Sequence, residues 1–353
     1  MADQLDETYR RQGRVGAVAP PGPLVIAVDR QREAPTVEIP PIVNRSILHV
    51  SVSGGRDSTA AALALRDAGL DAAPVFWDTG WEHEATYDYV DRVLPEILGR
   101  PVRTVAVGTP ALPDHLEAAA LHLERAYLHG RRSGMVRLIL HKAMFPSAIR
   151  ARWCTQMLKI DASRAVAHEV IASGGMPLYA LGIRAEESAA RARQPEVERM
   201  ALRRETVALA PSLDAWTWRP ILGWSAADVA DIHRRHNAPM NPLYAAGAGR
   251  VGCWPCIGAG KTELRLLDER RIRCIEELEA IVGEEWRRRN PAAVADNMPA
   301  FFQAATRRAD GVRPCTPIRE MVAWAATARG GRQMLMRFGG GGCVSGMCEA
   351  GDA

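Results

Sequence analysis

The stretch SVSGGRDSTAAALAL at residues 51–65 follows directly on the apolar run ILHV and decides how this part of the chain folds. The run at 47–50 is short and apolar, as in a buried strand, and the alanine- and leucine-rich residues 57–68 are typical of a helix. Two adjacent glycines lie between them, where a ligand can approach the main chain. Because a helix N-terminus presents free N–H groups, the turn suits a phosphate. The alternative is an ordinary strand-to-helix turn that is capped by Ser or Asp.

Strand-like and helix-like segments alternate from Ile47 onward. Such alternation predicts an α/β fold over residues 46–235, with a mainly parallel twisted sheet of about five strands and helices on both faces. Ligands of these sheets bind beyond the C-terminal ends of the strands, where Ser53 and Asp78 both fall. Strands are predicted at 47–50, 73–80, 102–107 and 177–184, and helices at 57–68, 84–98, 154–173, 225–236 and 261–283.

Composition limits the classes of protein to consider. The chain has 353 residues, of which 47% are apolar, and its net charge of +4 is too small to indicate nucleic-acid binding by itself. No apolar run approaches the ~20 residues that cross a bilayer, and the polar N-terminus does not resemble a signal peptide. We therefore expect a cytoplasmic protein, in which disulfides are rare. The seven cysteines are then buried thiols, metal ligands or reactive thiols.

The glycine turn carries a specific pattern. It lacks the lysine of GxxxxGK[ST], and it does not match GxGxxG. It resembles SGGxDS, the signature loop of the PP-loop (N-type) ATP pyrophosphatases, which have an adenine nucleotide alpha-hydrolase-like fold. The resemblance implies that N–H groups and hydroxyls of the loop bind the phosphates of an adenine nucleotide. The loop residues expected to bind it are Ser53, Gly54, Gly55, Arg56, Asp57 and Ser58.

Other segments resemble the phosphoadenosine phosphosulfate (PAPS) reductase family of PP-loop proteins. They are FWDTGWEHEATYDYV at 76–90, LGIRAEESAARAR at 181–193 and, more weakly, RPI and NPLY within 217–244, where we expect mainly structural roles. The planar guanidinium of arginine can donate several hydrogen bonds to phosphate or sulfate oxygens. The segment RAEESAARAR alone is, however, also typical of a solvated helix with i,i+4 ion pairs. The resemblance covers residues 46–270. It implies that Asp78, Thr79, Arg184, Glu187, Ser188 and Arg191 bind the nucleotide, and that Asp57, Lys159 and Arg184 act in catalysis.

The cysteines indicate a metal centre. A CxxC pair is typical of a metal or a redox site, whereas a lone cysteine is usually a buried thiol. The segments RWCTQMLKI at 152–160 and RVGCWPCIGAGK at 250–261 together resemble the iron–sulfur branch of the family, the adenylyl-sulfate reductases. The resemblance implies a 4Fe–4S cluster, although Trp153 replaces one cysteine of that branch and zinc would accept the same thiolates. The expected ligands are Cys154, Cys253 and Cys256, completed by Cys343 or Cys348.

These resemblances imply three regions: an extended N-terminal arm at 1–45, a PP-loop nucleotide-binding domain at 46–236, and a helical, metal-binding region with a glycine-rich tail at 237–353. They favour an enzyme that cleaves ATP to AMP and pyrophosphate and adenylates an acceptor for sulfur transfer or modification. The DNA phosphorothioation enzymes are the nearest pattern for this chemistry.

Two alternatives stay open. One is the thiol-dependent reduction of adenylyl sulfate or PAPS to sulfite, although the chain lacks the Glu-Cys-Gly-(Leu/Ile)-His segment in which family reductases carry their nucleophile. The other is a non-catalytic nucleotide- or metal-binding subunit of a modification complex. The resemblance further implies Mg²⁺ beside the nucleotide, a sulfur donor protein or thioredoxin-like reductant, a nucleic acid as one candidate acceptor, and a homo-oligomer.

Overall fold

A computed structural model describes residues 35–147, 152–292, 298–303 and 315–327. Its main sheet has six strands in the order β3-β2-β1-β4-β6-β5, and every neighbouring pair is parallel except β5 with β6. The strands are β1 (Ile47–Val52), β2 (Ala73–Asp78), β3 (Arg103–Ala106), β4 (Pro177–Leu181), β5 (Val197–Arg199) and β6 (Trp216–Trp218). The predicted mainly parallel α/β sheet is therefore confirmed.

Helices connect and cover these strands. Those of the sheet domain are α1 (Arg56–Asp67), α2 (Glu84–Asp88), α3 (Leu94–Leu98), α4 (Asp114–Tyr127), α5 (Gly134–Lys142), α6 (Trp153–Thr155), α7 (Asp161–Ala172), α8 (Ala189–Ala192), α9 (Arg204–Leu209) and α10 (Ala226–Arg235). After them come α11 (Pro242–Ala245), α12 (Lys261–Leu264), α13 (Glu269–Arg289), a short hairpin of β7 (Phe302–Gln303) and β8 (Cys315–Thr316), and α14 (Ile318–Ala326).

Shorter turns complete the backbone. A π-helical segment, Tyr89–Val93, joins α2 to α3, and another, Gln156–Ile160, joins α6 to α7. Turns of 3-10 helix occur at Pro41–Arg45 and Ala185–Glu187. No helix of the described ranges is long and apolar enough to span a membrane.

The sheet separates two apolar layers. On one face, α1 and α10 pack with the helical run at 84–98, around residues such as Leu63, Val90 and Trp218. On the other face, α7 covers a smaller core that includes Trp77 and Tyr179. The prediction of helices on both faces is thus confirmed. A third core lies among α4, α5, α13 and α14, and Trp81 of the loop after β2 is buried in it.

Three expectations about elements were wrong. The sheet has six strands rather than five, because β5 and β6 add a short antiparallel pair at one edge. The helix expected at 261–283 is broken, since α12 ends at Leu264 and Asp268 starts α13 by accepting a hydrogen bond from the Arg271 amide at 2.7 Å. Helices α4 and α5 were not foreseen.

Candidate functional site

The glycine turn between β1 and α1 is held closed by its own hydroxyls. The Ser53 amide donates to Ser58 Oγ at 3.1 Å, and the Ser58 and Thr59 hydroxyls both donate to the Gly55 carbonyl, at 3.0 and 3.1 Å. Gly54 has a φ of +73°, and a Cβ added there would lie 3.0 Å from Thr86 Cγ2. Glycine is therefore required at position 54 by both conformation and space.

A buried ion pair fixes the start of α1 to the end of β4. Arg184 Nε donates to Asp57 Oδ1 at 2.5 Å, and both side chains are almost fully buried. The backbones approach closely here as well, because a Cβ on Gly182 would lie 2.5 Å from the Asp57 carbonyl oxygen. The structure thus joins two residues that are 127 positions apart in the sequence and that were both predicted to be catalytic.

The GIRxxES segment forms a small polar network after β4. Glu187 accepts hydrogen bonds from the Arg184 amide at 3.1 Å and from the Arg191 guanidinium, and Ser188 Oγ accepts from the Arg191 amide at 3.2 Å. Arg191 is buried, and Ser188 starts α8. These contacts show how the segment is held at the sheet edge, and nucleotide binding by its residues stays a prediction.

A tyrosine bridges two carboxylates after β2. The Gly80 amide donates to Asp78 Oδ1 at 2.7 Å, and Tyr87 Oη lies 2.8 Å from the same oxygen and 2.9 Å from Glu82 Oε2. Burial, together with the Glu82 charge, raises the pKa of Asp78. Because the phenol carries a single proton, Tyr87 donates to only one of these two carboxylate oxygens at a time. Asp78 was predicted from the sequence as a site residue, whereas Glu82 and Tyr87 were not, although both lie within the DTGWEHEATY segment.

The GCWPC loop docks directly on this segment. Cys253 pairs with Glu82 in an isolated antiparallel β-bridge, and the Trp254 amide donates to the Trp81 carbonyl at 2.9 Å. The Trp81 indole N–H donates to the Pro255 carbonyl at 3.1 Å. As a result, the Cys253 sulfur lies 3.8 Å from both Glu82 Oε1 and the Thr79 hydroxyl.

Three cysteine thiols interact electrostatically with one buried cation, Lys159. Lys159 is buried, and desolvation alone would lower its pKa. The pKa is nevertheless raised, because the interaction with nearby acidic groups is stronger; these are Cys253, Glu82, Cys256 and Cys154. Burial raises the pKa of Cys154 to about 12 and that of Cys253 to about 11. At Cys256, burial is outweighed by Arg250, the Gly258 amide and Lys159, so the pKa of this thiol lies below its ordinary value.

The donor atoms of this region agree in kind with a thiolate-bound metal. Cys154, Cys253 and Cys256 interact electrostatically with one another and with Lys159, and their role as metal ligands stays a prediction. Within the described ranges, however, no three Cys, His, Asp or Glu side chains are close enough to form a ligand set. Cys343 and Cys348 lie outside the described residues. Of the other cysteines, Cys274 is buried in the helical core, and Cys315 lies in β8.

Two residues from the later segments hold the glycine turn in place. The Arg56 amide donates to Tyr244 Oη at 3.1 Å, and the Arg56 guanidinium lies 5.3 Å from the centre of the Tyr244 ring. His233 Nε2 lies 2.9 Å from the Arg56 carbonyl oxygen. The structural role expected for 217–244 therefore includes direct support of the loop. The contact lies within the NPLY segment but was not predicted from the sequence.

Comparison with known proteins identifies the family. The model of the phosphoadenosine phosphosulfate reductase domain matches residues 47–259. This range includes the glycine turn, the Asp57–Arg184 pair, the carboxylate bridge and both cysteines of the GCWPC loop. The chain belongs to the PAPS reductase family of PP-loop nucleotide-binding enzymes.

Individual proteins are also similar to this chain. An uncharacterized 37.8 kDa protein of Escherichia phage 186 is 33% identical over 313 residues, which cover 80% of this chain and 89% of that protein. An uncharacterized protein of Methanocaldococcus jannaschii is 25% identical over 237 residues, which cover 67% of this chain and 41% of that protein. The solved structure of a PAPS reductase from Candida auris, in a phosphate complex, aligns with a TM-score of 0.38 and 16% identity, over 61% of this chain and 85% of that one.

Proposed function

We propose that this protein cleaves ATP to AMP and pyrophosphate and so adenylates an acceptor for sulfur transfer or modification. A nucleophilic atom of the acceptor attacks the α-phosphorus, the bond between the α-phosphorus and the bridging oxygen breaks, and pyrophosphate leaves. The observation that carries the proposal is the closed glycine turn at 53–58. Its hydroxyls brace the loop, and only glycine fits at position 54. Such a turn at a helix start is suited to the β- and γ-phosphates.

The charged residues at the strand ends have complementary tasks in this reaction. Arg184, oriented by Asp57, supplies positive charge at the end of β4, where the α-phosphate would gain negative charge in the transition state. Lys159 supplies a second buried cation on the side of the thiols. Asp78 and Thr79 follow β2, and their carboxylate and hydroxyl oxygens are ligands that suit Mg²⁺ bound to phosphates.

We further propose that Cys154, Cys253 and Cys256 hold a 4Fe–4S cluster and that Cys343 or Cys348 completes it. The support is the electrostatic interaction of the three thiols with Lys159, together with Arg250, which lowers the pKa of Cys256 and so favours its thiolate. A bound cluster supplies electron-transfer chemistry. The protein's own contribution is to bury the thiols and to dock their loop against Glu82.

One observation favours the reductase alternative. Cys256 is the thiol whose pKa is lowered, and a thiolate is the group that attacks the sulfur of adenylyl sulfate or PAPS. In that reaction a sulfur–oxygen bond breaks, the nucleotide leaves, and a second thiol releases sulfite from the cysteine. We rank this alternative second because the sequence lacks the Glu-Cys-Gly-(Leu/Ile)-His segment of the family reductases.

Substrate binding and product analysis separate the two reactions. The anaerobically purified full chain is titrated by calorimetry with ATP, adenylyl sulfate and PAPS, and each nucleotide is then incubated with Mg²⁺ and a dithiol. In the absence of an acceptor, we expect ATP to bind and water to attack the α-phosphorus in its place, which yields AMP and pyrophosphate in equal amounts. Sulfite release from a sulfonucleotide, without cleavage of ATP, would favour the reductase. Binding of none of the three nucleotides would contradict both functions and favour a non-catalytic subunit.

A further inference from the structure

A cavity of about 340 Å³ lies beside the DTGWEH loop, on a surface that the proposed reaction does not use. It is bordered by the loop after β2, the first turns of the helical run at 84–98, the loop after α4, and the start of α13. Its volume falls within the range of small-molecule sites. Most of its lining residues are charged or polar, and they include the carboxylates of Glu82, Glu84, Asp88 and Asp91 and the guanidinium groups of Arg92, Arg131 and Arg271.

Arg271 is the distinctive residue of this cavity. Its side chain is only 5% exposed, and its guanidinium lies 4.8 Å from the centre of the Trp81 ring. Nη2 donates to the Glu82 carbonyl at 3.2 Å, whereas Nη1 has no hydrogen-bond partner among the described residues. A buried guanidinium N–H without an acceptor is costly, and an oxyanion in the cavity would supply that acceptor.

A second arginine and a nearby carboxylate complete the site. Arg131 stacks 3.6 Å from the centre of the Tyr87 ring and is held 4.0 Å from Asp78. The half-exposed Glu84 carboxylate lies 3.0 Å from His129 Nε2 and 3.9 Å from Arg271 Nη2. The Glu84 carboxylate thus lies beside Arg271 but is too far away to form a close ion pair with it. Its exposed side chain can turn away when another anion enters.

The cavity is separate from the nucleotide loop. Gly54 faces Thr86 and Val90, which lie on one side of the helical run at 84–98. Tyr87, Asp88 and Asp91 line the cavity from another side of the same run. One helix therefore divides the two regions, and a ligand of the cavity need not be the nucleotide.

We propose that this cavity binds a small molecule through an oxyanion, a carboxylate or a phosphate, which is held by Arg271 and Arg131 and competes with Glu84. The volume of the cavity suits a metabolite rather than a polymer. The proposal does not depend on the proposed function, because none of its residues binds the phosphates in that reaction.

Calorimetric titration with inorganic phosphate and, separately, with succinate tests the proposal and distinguishes the two oxyanions. We expect the full chain to bind at least one of them, and we expect Arg271→Met to weaken that binding by roughly ten- to a hundred-fold, as the loss of a hydrogen bond to a charged group does. Arg131→Gln should weaken it less. Glu84→Gln should tighten it, because the competing charge is removed.

The variant Gly54→Val separates this site from the nucleotide loop, which also attracts phosphate. Binding in the cavity should survive Gly54→Val and fail in Arg271→Met, whereas binding at the loop should show the opposite pattern. Thermal melts confirm that the variants fold. If Arg271→Met does not fold, the exposed variants Arg131→Gln and Glu84→Gln decide the question. Unchanged affinity in both, or no binding of either anion by the wild type, overturns the proposal.

Discussion

At Gly54 the absence of a side chain lets the glycine turn pack closely against Thr86 and Val90. The residue has a positive φ, and its α-carbon faces the helical run at 84–98. Gly69 offers a matched case, because its φ of +71° is nearly the same but nothing lies within 4 Å of an added Cβ. Substitutions at the two glycines therefore distinguish the effect of backbone strain, which both positions share, from the effect of a steric clash, which only Gly54 has.

We predict that Gly54→Val abolishes ATP binding measured by calorimetry. The valine side chain would meet Thr86 and Val90 and displace the loop backbone from the phosphates. Gly69→Val imposes similar backbone strain and should cost stability while leaving the affinity for ATP unchanged. Equal affinities of wild type and Gly54→Val for ATP would remove the glycine turn from the binding site.

The buried pair of Asp57 and Arg184 makes a second prediction at the scale of single residues. Arg184→Met should lower the free energy of unfolding by up to roughly 3–5 kcal/mol, because it removes the closer counter-ion of the buried Asp57 carboxylate and leaves only Arg56 Nε, at 3.7 Å. The exposed pair of Arg199 with Asp214 is the control, and Arg199→Met should cost less than about 1 kcal/mol. Urea denaturation measures both. A similar cost for both variants would show that Asp57 is satisfied by other groups.

At the scale of elements, sequence periodicity predicted the strands and helices that are long or strongly apolar. Strands β1 to β4 and the helical run at 84–98 were found because each is a continuous apolar or amphipathic stretch. Strands β5 and β6 have three residues each, too few for a period to appear. The break before α13 was missed because Asp268 lies among many charges, which hide a capping residue.

The candidate site was predictable only where a motif spans it. The glycine turn and the GCWPC loop are contiguous in sequence, so a family resemblance identified them. The roles of Tyr87, Tyr244 and Arg271 come from contacts between distant segments. Arg271 in particular sits in a charged helix, where an arginine is usually solvated, and only packing against Trp81 reveals its burial.

A further prediction concerns the proposed 4Fe–4S cluster, whose expected ligands lie in the GCWPC loop and in α6. In anaerobic preparations, Cys154→Ala, Cys253→Ala and Cys256→Ala should each lose iron and the visible absorption band. Cys274→Ala and Cys315→Ala serve as controls and should retain both, because Cys274 is buried in the helical core and Cys315 lies in β8. Cys343→Ala and Cys348→Ala identify the fourth ligand. Full iron content in the 253 and 256 variants would defeat the cluster, and stoichiometric zinc without iron would make the site structural.

Helix α11 and its Tyr244 make a prediction about support of the glycine turn. Tyr244→Phe removes the acceptor of the Arg56 amide, which should cost about 1–3 kcal/mol of stability and weaken the affinity for ATP. Tyr127→Phe, which removes a hydroxyl bonded to Glu277 far from the loop, is the matched control. Chemical denaturation and calorimetry give the two quantities. If both variants bind ATP like the wild type, Tyr244 has no part in shaping the loop.

At the scale of the whole molecule, Glu279 of α13 ties the later segments to the helical core. Its Oε1 accepts hydrogen bonds from the Phe301 amide at 3.0 Å and the Ile318 amide at 3.2 Å. Burial, with the charges of Glu276 and Glu320, raises the pKa of Glu279 to about 7 despite these two amides. The folded protein therefore holds a proton on this group over a range of pH where the unfolded chain has lost it.

We predict that this proton makes stability depend on pH. The folded state binds more protons than the unfolded state between the ordinary glutamate pKa and about 7, so the stabilising contribution of Glu279 is complete at the acidic end and is lost as pH rises through this window. Glu279→Gln should remove that part of the slope when unfolding is measured at several pH values. The exposed variant Glu205→Gln is the control and should keep it. An identical slope in wild type and Glu279→Gln would contradict the prediction.

The hydrogen bond from Arg56 to Tyr244 spans 188 residues of chain, and the bridge between Glu82 and Cys253 spans almost as many. Contacts of such sequence separation form late in folding, because a long loop must close before they can be made. During synthesis, the glycine turn and β2 leave the ribosome well before the residues that brace them. The nascent chain thus carries an incompletely supported nucleotide loop until about 260 residues have emerged. Readiness to bind nucleotide should therefore follow the emergence of the segment that contains Tyr244 and Cys253.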